Sequence, residues 1–245
     1  MMVEHPERIL DGVRILMRAL GLDTALIGVE DNKPDAIEAL QRIADSSADP
    51  LDRVRVLPLK ATYPQGAEKV LIKAATGREV PKGGLPADAG CIVMNVTGVA
   101  RLAVYLKTGM PLVSKRVTVD GDAVTDPKNV IVPIGTPISE LLSFVGLKEE
   151  PKKVLMGGPM MGIAQINLEV PVIKATNSIL CLLKDRNGAA ENPVCLRCGK
   201  CVGVCPMRLQ PLYMYRFTNA NRVDELERLN LLDCIECGSC AFTCP

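Results

Sequence analysis

Apolar residues recur at helical spacing in the first third of the chain and alternate with short apolar runs of strand length. The predicted helices cover 6–20 and 35–44, and the predicted strands cover 24–29 and 54–57. Gly21 follows the first helix as a stop signal, and Pro34 suits the first turn of the second. A rhythm of helix, strand, helix and strand is typical of a doubly wound α/β sheet, so we predict a partial Rossmann-like domain over residues 1–110.

A loop with glycine and proline then leads into a third predicted helix, at 68–76. The segment Tyr63–Lys69 reads Tyr-Pro-Gln-Gly-Ala-Glu-Lys. A glycine in front of a helix leaves backbone N–H groups free to bind an anion. By itself this is a weak signal, because many strand-to-helix loops contain glycine.

An apolar run from Ala89 to Gly98 predicts a buried strand that ends at Asn95. Polar residues at the carboxyl end of a central strand face the ligand crevice of an open α/β sheet. Asn95 is equally suited to cap a helix over 97–107. The pattern of residues is compatible with both interpretations.

The pattern changes from Leu112 onwards to the alternation of half-buried strands. Strands are predicted at 113–119, 130–134 and 154–156, a hairpin turn at 120–122, a helix at 138–145 and a loop at 157–162. Thr136 is the predicted N-cap of that helix, with Pro137 at its first position. We predict a small α+β domain of the β-grasp (SLBB) type over 111–170, followed by a strand and linker at 171–190.

Two cysteine runs near the end of the chain have the same spacing. They are Cys195, Cys198, Cys201 and Cys205 before Pro206, and Cys234, Cys237, Cys240 and Cys244 before Pro245. Both match C-x2-C-x2-C-x3-C-P, the spacing of two-cluster bacterial ferredoxins, in which the fourth cysteine ligates the other cluster. We predict one 4Fe–4S cluster on Cys195, Cys198, Cys201 and Cys244, and a second on Cys234, Cys237, Cys240 and Cys205.

Zinc and disulfides are the alternatives to this interpretation. Structural zinc takes four ligands from well-separated pairs, so a third cysteine at equal spacing is surplus. Cysteines three apart in a tight loop seldom meet the geometry of a disulfide. Apolar residues between the runs recur at helical spacing, which predicts two short helices and an α-helical ferredoxin domain over 191–245.

Composition narrows the function further. With 29 basic and 28 acidic residues the net charge is +1, which does not favour nucleic acid as a partner. No apolar run approaches the roughly 18 residues that span a bilayer. Eight reduced cysteines indicate a reducing compartment and hence the cytoplasm. Cys91 and Cys181 lie in apolar runs and are predicted to be buried packing residues.

Taken together, these segments resemble the RnfC family of the Rnf (ion-translocating) electron transport complex, which is related to the flavin subunit of respiratory complex I. The resemblance is carried by the stretches 3–6, 63–69, 84–87 and 157–162 and by both cysteine runs. It implies an α/β domain of the complex I flavin-subunit type, with FMN and NAD(H) as cofactors besides the clusters.

The resemblance also implies site residues and partners. Tyr63, Gly66, Glu68 and Lys69 match the loop against flavin and nicotinamide, and Asn95, Val96 and Thr97 match the flavin phosphate and ribityl side. Ferredoxin-like and membrane subunits are the implied partners, at the cytoplasmic face of the plasma membrane, with no direct membrane span in this chain.

Two features of that family are not found in the sequence. A glycine-rich loop and an acidic turn precede the Glu-His-Pro segment in the family, and neither occurs here. We therefore expect an internal piece of a longer chain that is not fully active alone. A corrinoid-reducing flavoprotein of the microcompartment type, or an electron-relay module without catalysis, are the alternative functions.

Overall fold

The computed structural model describes residues 1–46, 53–184 and 194–245, which form two compact units, Met1–Pro111 and Leu112–Pro245. The elements of the first unit are α1 (Pro6–Leu20), β1 (Ala25–Glu30), α2 (Pro34–Asp45), β2 (Val54–Leu59), α3 (Glu68–Thr76) and α4 (Val96–Thr108), with a 3₁₀ turn at Pro86–Ala89. Apart from the 3₁₀ turn, these elements match the predicted ones to within two residues. The predicted polar turn at 46–50 falls mostly outside the described residues.

Helices cover a small parallel sheet in this unit. Strands β1 and β2 pair in parallel, with Ala25 opposite Val54. The apolar stripe of α1 provides Ile9 and Leu10, which are almost completely buried in the same core as Ile27 of β1. The helix-and-strand rhythm of the sequence is therefore confirmed for these elements.

The predicted strand at 89–95 is wrong. Within the described residues the sheet contains β1 and β2 only, and the segment before α4 forms no ladder. Ile92 and Met94 are about half exposed, at 55% and 47%. The 3₁₀ turn ends at Gly90, whose left-handed backbone redirects the chain. The apolar run thus leads into α4 and does not cross the core.

The second unit begins with a mixed sheet and one helix. Its elements are β3 (Ser114–Asp120), β4 (Lys128–Pro133), α5 (Ile138–Val145), β5 (Lys153–Met156), β6 (Ile163–Gln165) and β7 (Ser178–Leu182), and the strand order is β4-β3-β7-β5-β6. Strand β7 lies at the centre of this sheet, parallel to β3 and antiparallel to β5. The predicted boundary at residue 170 is therefore too early, because a strand near residue 180 is needed to join the two halves.

The cap of α5 differs from the predicted one. Pro137 is the N-cap, with extended backbone, and no side chain caps the helix. The Thr136 backbone instead pairs with Val172, and its carbonyl accepts the Val172 N–H at 2.8 Å. Proline has no N–H to leave unsatisfied, which removes the need for a capping hydroxyl.

Cys181 lies in the middle of β7 and is completely buried, as predicted, whereas Cys91 is only half-buried. Burial raises the pKa of the Cys181 thiol to about 11. The thiol of an unfolded chain has a pKa of about 8.5, so the folded state holds this proton more tightly. The stability that this proton contributes is fully present below about pH 8.5 and is lost as the pH rises towards 11.

We expect the second unit to lose on the order of 2 kcal/mol of unfolding free energy between about pH 8.5 and 10.5 through Cys181 alone. Denaturant unfolding at the two pH values measures this loss. A Cys181→Ala variant carries no titrating thiol and should show a smaller loss than the parent. Equal losses in both proteins would assign the pH dependence to other groups.

The last part of the second unit is helical. Its elements are α6 (Lys200–Gly203), α7 (Pro211–Asn219), α8 (Val223–Arg228) and α9 (Ser239–Thr243), with a 3₁₀ turn at Leu231–Asp233. Leu209, Met214 and Leu226 form a small buried core between the cysteine runs. The two predicted short helices, α7 and α8, are confirmed. None of the helices in the described ranges combines the length and the apolar character that crossing a bilayer requires.

Candidate functional site

The two cysteine runs adopt the same backbone conformation. Arg197 and Glu236, each just before the second cysteine of its run, both have φ of +54°. Gly199 and Gly238, each just after that cysteine, have φ of +76° and +80°. Successive N–H groups in such right- and left-handed alternations converge on an anionic centre. Each run therefore forms a concave loop suited to an anionic cluster.

Four predicted ligands meet at the first of these loops. Cys195, Cys198 and Cys201 line one small cavity, and Cys244 of the other run lines it too. Leu212 of α7 closes one side. The short helices α6 and α9, one after each run, pack against each other. This packing brings the end of the second run to the first loop, which is the arrangement that exchanged ligands require. We call this cavity site 1.

Three thiols are close together at the second loop, which we call site 2. Burial raises the pKa of the Cys240 thiol, and the neighbouring thiols of Cys234 and Cys237 raise it further. The Glu236 N–H donates to Cys234 Sγ at 3.4 Å. The structure gives Cys205 no cavity shared with these three among the described residues, so its place as the fourth ligand of site 2 stays a prediction.

Cys205 nevertheless has a defined environment. Its Sγ accepts the Leu209 N–H at 3.3 Å, and the residue packs against the small core of Leu209, Met214 and Leu226. Hydrogen bonds from backbone N–H groups to a ligating sulfur stabilise the thiolate form and the reduced cluster. The contact is therefore compatible with ligation.

The thiols fit iron–sulfur clusters better than a single ion. All ten cysteines are free. Among residues 1–46, 53–184 and 194–245, no three His, Cys, Asp or Glu side chains are close enough to hold one metal ion. In a 4Fe–4S cube each iron takes one thiolate, so the protein sulfurs stand further apart than the ligands of a single ion. Four cysteines around the cavity of site 1 match that demand.

The first group of predicted flavin residues lies where β2 leads to α3. Tyr63 is about half exposed, and Gly66 is exposed with open space in the direction of a Cβ. Glu68 begins α3 and is exposed, while Lys69 is half-buried. No side chain caps helix α3, so its first N–H groups are available to a ligand.

The second group lies at the start of α4. Asn95 is the N-cap, and its Oδ1 accepts the Thr97 N–H at 2.9 Å. The capping interpretation is confirmed, and the strand-end interpretation falls with the strand. The Asn95 side-chain NH₂ remains able to donate to a ligand. Val96 is the first residue of the helix and is half-buried.

The two groups are positioned by different elements. Helix α3 packs against β1 and β2, whereas α4 packs against α1. Gln65, which the sequence reasoning did not single out, adds a third feature: its Nε2 is buried and makes no hydrogen bond among the described residues. A buried donor without a partner is costly unless a ligand accepts from it. This amide is therefore a fitting contact for a flavin oxygen.

Comparison with protein-family models identifies all three parts. Residues 1–104 match the Nuo51 FMN-binding domain, 116–164 the SLBB domain and 189–245 the 4Fe–4S dicluster domain. A flavin-binding domain, an SLBB domain and a dicluster domain in this order define an electron-transfer protein related to the complex I flavin subunit.

Curated relatives agree on one component of one complex. The chain is 46% identical over 234 residues to the RnfC component of the Na⁺-translocating ferredoxin:NAD⁺ oxidoreductase complex of Acetobacterium woodii, covering 95% of this chain and 52% of that protein. It is 44% identical to the proton-translocating counterpart of Clostridium ljungdahlii, covering 95% and 50%. The predicted resemblance to the RnfC family is thus confirmed. The chain spans about half the length of these relatives.

A solved structure with the same fold is a NAD⁺-reducing [NiFe]-hydrogenase in the H₂-reduced state. The TM-score is 0.60 at 19% sequence identity, over 74% of this chain and 36% of that one. At this identity the likeness concerns the fold. The relatives favour the Rnf interpretation over the corrinoid-reducing alternative.

Proposed function

We propose that the chain is the electron-transfer part of a peripheral RnfC component in an ion-translocating ferredoxin:NAD⁺ oxidoreductase complex. It moves electrons between NAD(H) with FMN and two 4Fe–4S clusters. The observation that carries the proposal is the cavity of site 1, in which three cysteines of one run meet Cys244 of the other. The names of the relatives supply the complex and the two substrates.

FMN exchanges a hydride for single electrons, and the clusters carry one electron at a time. The chain's own residues bind and orient these groups. The left-handed loops at Gly199 and Gly238 aim N–H groups at the clusters, and the thiolates anchor them. Gly66 permits close approach of the backbone, and the amides of Gln65 and Asn95 donate to flavin oxygens.

Partners and location follow from the same proposal. The relatives are components of multi-subunit complexes, so attachment to the membrane runs through ferredoxin-like and membrane subunits. The cytoplasmic face is the side on which NAD(H) and reduced ferredoxin are found, and eight thiols need a reducing compartment.

We also propose that these 245 residues assemble both clusters alone, whereas NADH oxidation needs the remainder of the protein. The eight predicted ligands are all present, but the chain spans about half of its relatives. The parallel sheet of β1 and β2 has two strands in the described residues, and parallel sheets are normally larger and covered on both faces.

Anaerobic reconstitution with iron, sulfide and FMN tests the proposal. We expect about eight irons per chain, from two clusters of four. Flavin binding is followed by quenching of FMN fluorescence, and NADH is added to see whether the clusters bleach. Uptake of fewer than four irons would contradict the cluster assignment, and uptake of clusters with no effect of NADH would favour the relay module for this chain alone.

Asn95 separates helix capping from flavin binding. Asn95→Ala loses the cap and should cost α4 about 1 kcal/mol. Asn95→Asp keeps a capping oxygen but loses the NH₂ donor and places a negative charge near the flavin phosphate. We expect both variants to weaken FMN binding, measured by fluorescence titration, and only Asn95→Ala to lower the thermal stability. If Asn95→Asp binds FMN as the parent does, Asn95 serves the helix alone.

A further inference from the structure

The two cluster sites differ in how far the protein covers them. At site 1, Cys195, Cys198 and Cys244 are all exposed. At site 2, Cys237 is buried, at 8% exposure, and Ser239 beside it is equally buried. Because the backbones of the two loops are alike, the difference must come from what packs on them.

The β-grasp domain supplies the cover. A Cβ added at Gly238 would lie 3.2 Å from the Met160 carbonyl oxygen and 3.7 Å from Met160 Cε. At the matching position of site 1, Gly199, nothing among the described residues lies within 4 Å. Met160 therefore rests on the second cluster loop, at the glycine between Cys237 and Cys240.

The loop that carries Met160 is held in one shape. In the segment 157–162, the Gly162 N–H donates to the Gly158 carbonyl at 2.8 Å, and the Gly157 N–H donates to the Ser178 carbonyl at 2.8 Å. A Cβ at Gly162 would lie 2.4 Å from the Gly158 oxygen, and Gly157 has φ of +113°. Both glycines are needed to close the loop, and the bond to Ser178 ties it to the central strand β7.

We infer that the segment 157–162 is a fixed cover over site 2 and that Met160 is its positioning residue. The cluster on Cys234, Cys237 and Cys240 is shielded from solvent, and the cluster of site 1 is open to it. Solvent exposure is one of the factors that set the reduction potential of a 4Fe–4S cluster. The two clusters are therefore unequal, although their ligand runs have the same spacing. This inference rests on the proposed binding of two clusters.

Release of iron to the chelator bathophenanthroline disulfonate tests the cover without any measurement of activity. For the reconstituted parent chain we expect two phases, a fast one from site 1 and a slow one from site 2. Met160→Ala removes the half-buried side chain at the contact and should make the slow phase about five-fold faster, the effect of a small loss in local stability. Met160→Leu, which restores most of the volume, should return the slow phase towards the parent rate.

Met161→Ala is the matched control, because Met161 is adjacent and 61% exposed. It should leave both phases unchanged. An unchanged slow phase in Met160→Ala, or an equal acceleration in Met161→Ala, would overturn the inference. Circular dichroism and the iron content before addition of the chelator identify a variant that has failed to fold.

A second pair of variants approaches the contact from the cluster loop. Gly199→Ala and Gly238→Ala impose the same left-handed strain, but only the latter Cβ meets Met160. We expect Gly238→Ala to accelerate the slow phase more than Gly199→Ala accelerates the fast one. Equal accelerations would mean that Met160 does not press on the loop.

The outcomes for the cover and for the proposed function are distinguishable. If the parent chain takes up far fewer than about eight irons, the proposed function fails. If it takes up about eight and releases them in one phase, the clusters stand and the cover fails.

Discussion

Cys244→Ser is expected to remove the cluster of site 1 and to leave that of site 2, although Cys244 belongs to the second run. The iron content should fall from about eight to about four per chain. The physical reason is the cavity in which Cys244 meets Cys195, Cys198 and Cys201. A serine hydroxyl at that corner is a poor ligand for iron, because it is protonated at neutral pH and is harder than a thiolate.

A double replacement decides which site Cys244 serves. In a chain that already lacks site 1 through Cys195→Ser and Cys198→Ser, the further change Cys244→Ser should cost no more iron. If Cys244 instead ligated its own run, the same change would remove the remaining four irons. Cys91→Ser is the control, because Cys91 is half-buried in the first unit and belongs to neither run. It should retain about eight irons.

The two results also test the prediction for Cys205 by symmetry. The spacing of the runs predicts that each fourth cysteine crosses to the other site, and the structure places Cys244 accordingly. For Cys205 it shows a hydrogen bond from Leu209 and a place beside the small core. Cys205→Ser in the chain without site 1 should remove the last four irons, in contrast to Cys244→Ser.

The cysteine sites were the most predictable part of the molecule because their information is local. Ligand spacing and the glycine between ligands are both read directly from a dozen residues. Amphipathic helices such as α1 were predictable for the same reason, since a stripe at 3.6-residue spacing has one interpretation. The structure adds the left-handed backbone at Arg197 and Glu236, for which the residue types give no signal.

Features that depend on distant residues were not predictable in this way. The apolar run before α4 has the composition of a buried strand, but Gly90 turns it away from the sheet. Strand β7 was identified, yet nothing in its residues says that it pairs with β3, which lies far earlier in the chain. The contact of Met160 with Gly238 likewise joins a hairpin loop to a distant cluster loop. Such pairings are decided by packing and not by local propensity.

The same limit applies to the flavin residues. Gly66 and Asn95 were identified by resemblance, and Asn95 was also identified as a possible cap. Gln65 was overlooked because a glutamine in a loop is ordinarily a solvated residue. Only its burial without a hydrogen-bond partner among the described residues makes it a candidate.

Gly12→Ala is expected to have the largest effect on the first unit. Gly12 is buried where α1 crosses α4, and a Cβ there would lie 2.1 Å from the Val99 carbonyl oxygen. The obstacle is backbone, so no side chain can rotate to relieve it. The two helices would have to separate by roughly an ångström, and a close-packed interior leaves no slack for that shift. We expect a loss of about 3 kcal/mol of unfolding free energy.

Gly98→Ala provides the matched control at the other side of the same crossing. Gly98 lies in α4, one position before Val99, but nothing among the described residues lies within 4 Å of its Cβ direction. Alanine there should gain up to about 1 kcal/mol through helix propensity alone. The two substitutions are chemically identical, so propensity cancels between them and the difference reports the crossing.

Hydrogen exchange of the amides in α1 and α4 is the measurement of choice, because it resolves the stability of one unit in a chain with two. Gly12→Ala should lower protection in both helices and leave β3 and β7 unchanged. Since Asn95 caps α4, the same variant should also weaken FMN binding if the start of that helix contributes to the flavin site. Loss of protection with unchanged FMN affinity would separate the crossing from the site, and unchanged protection would show that the helices can part without cost.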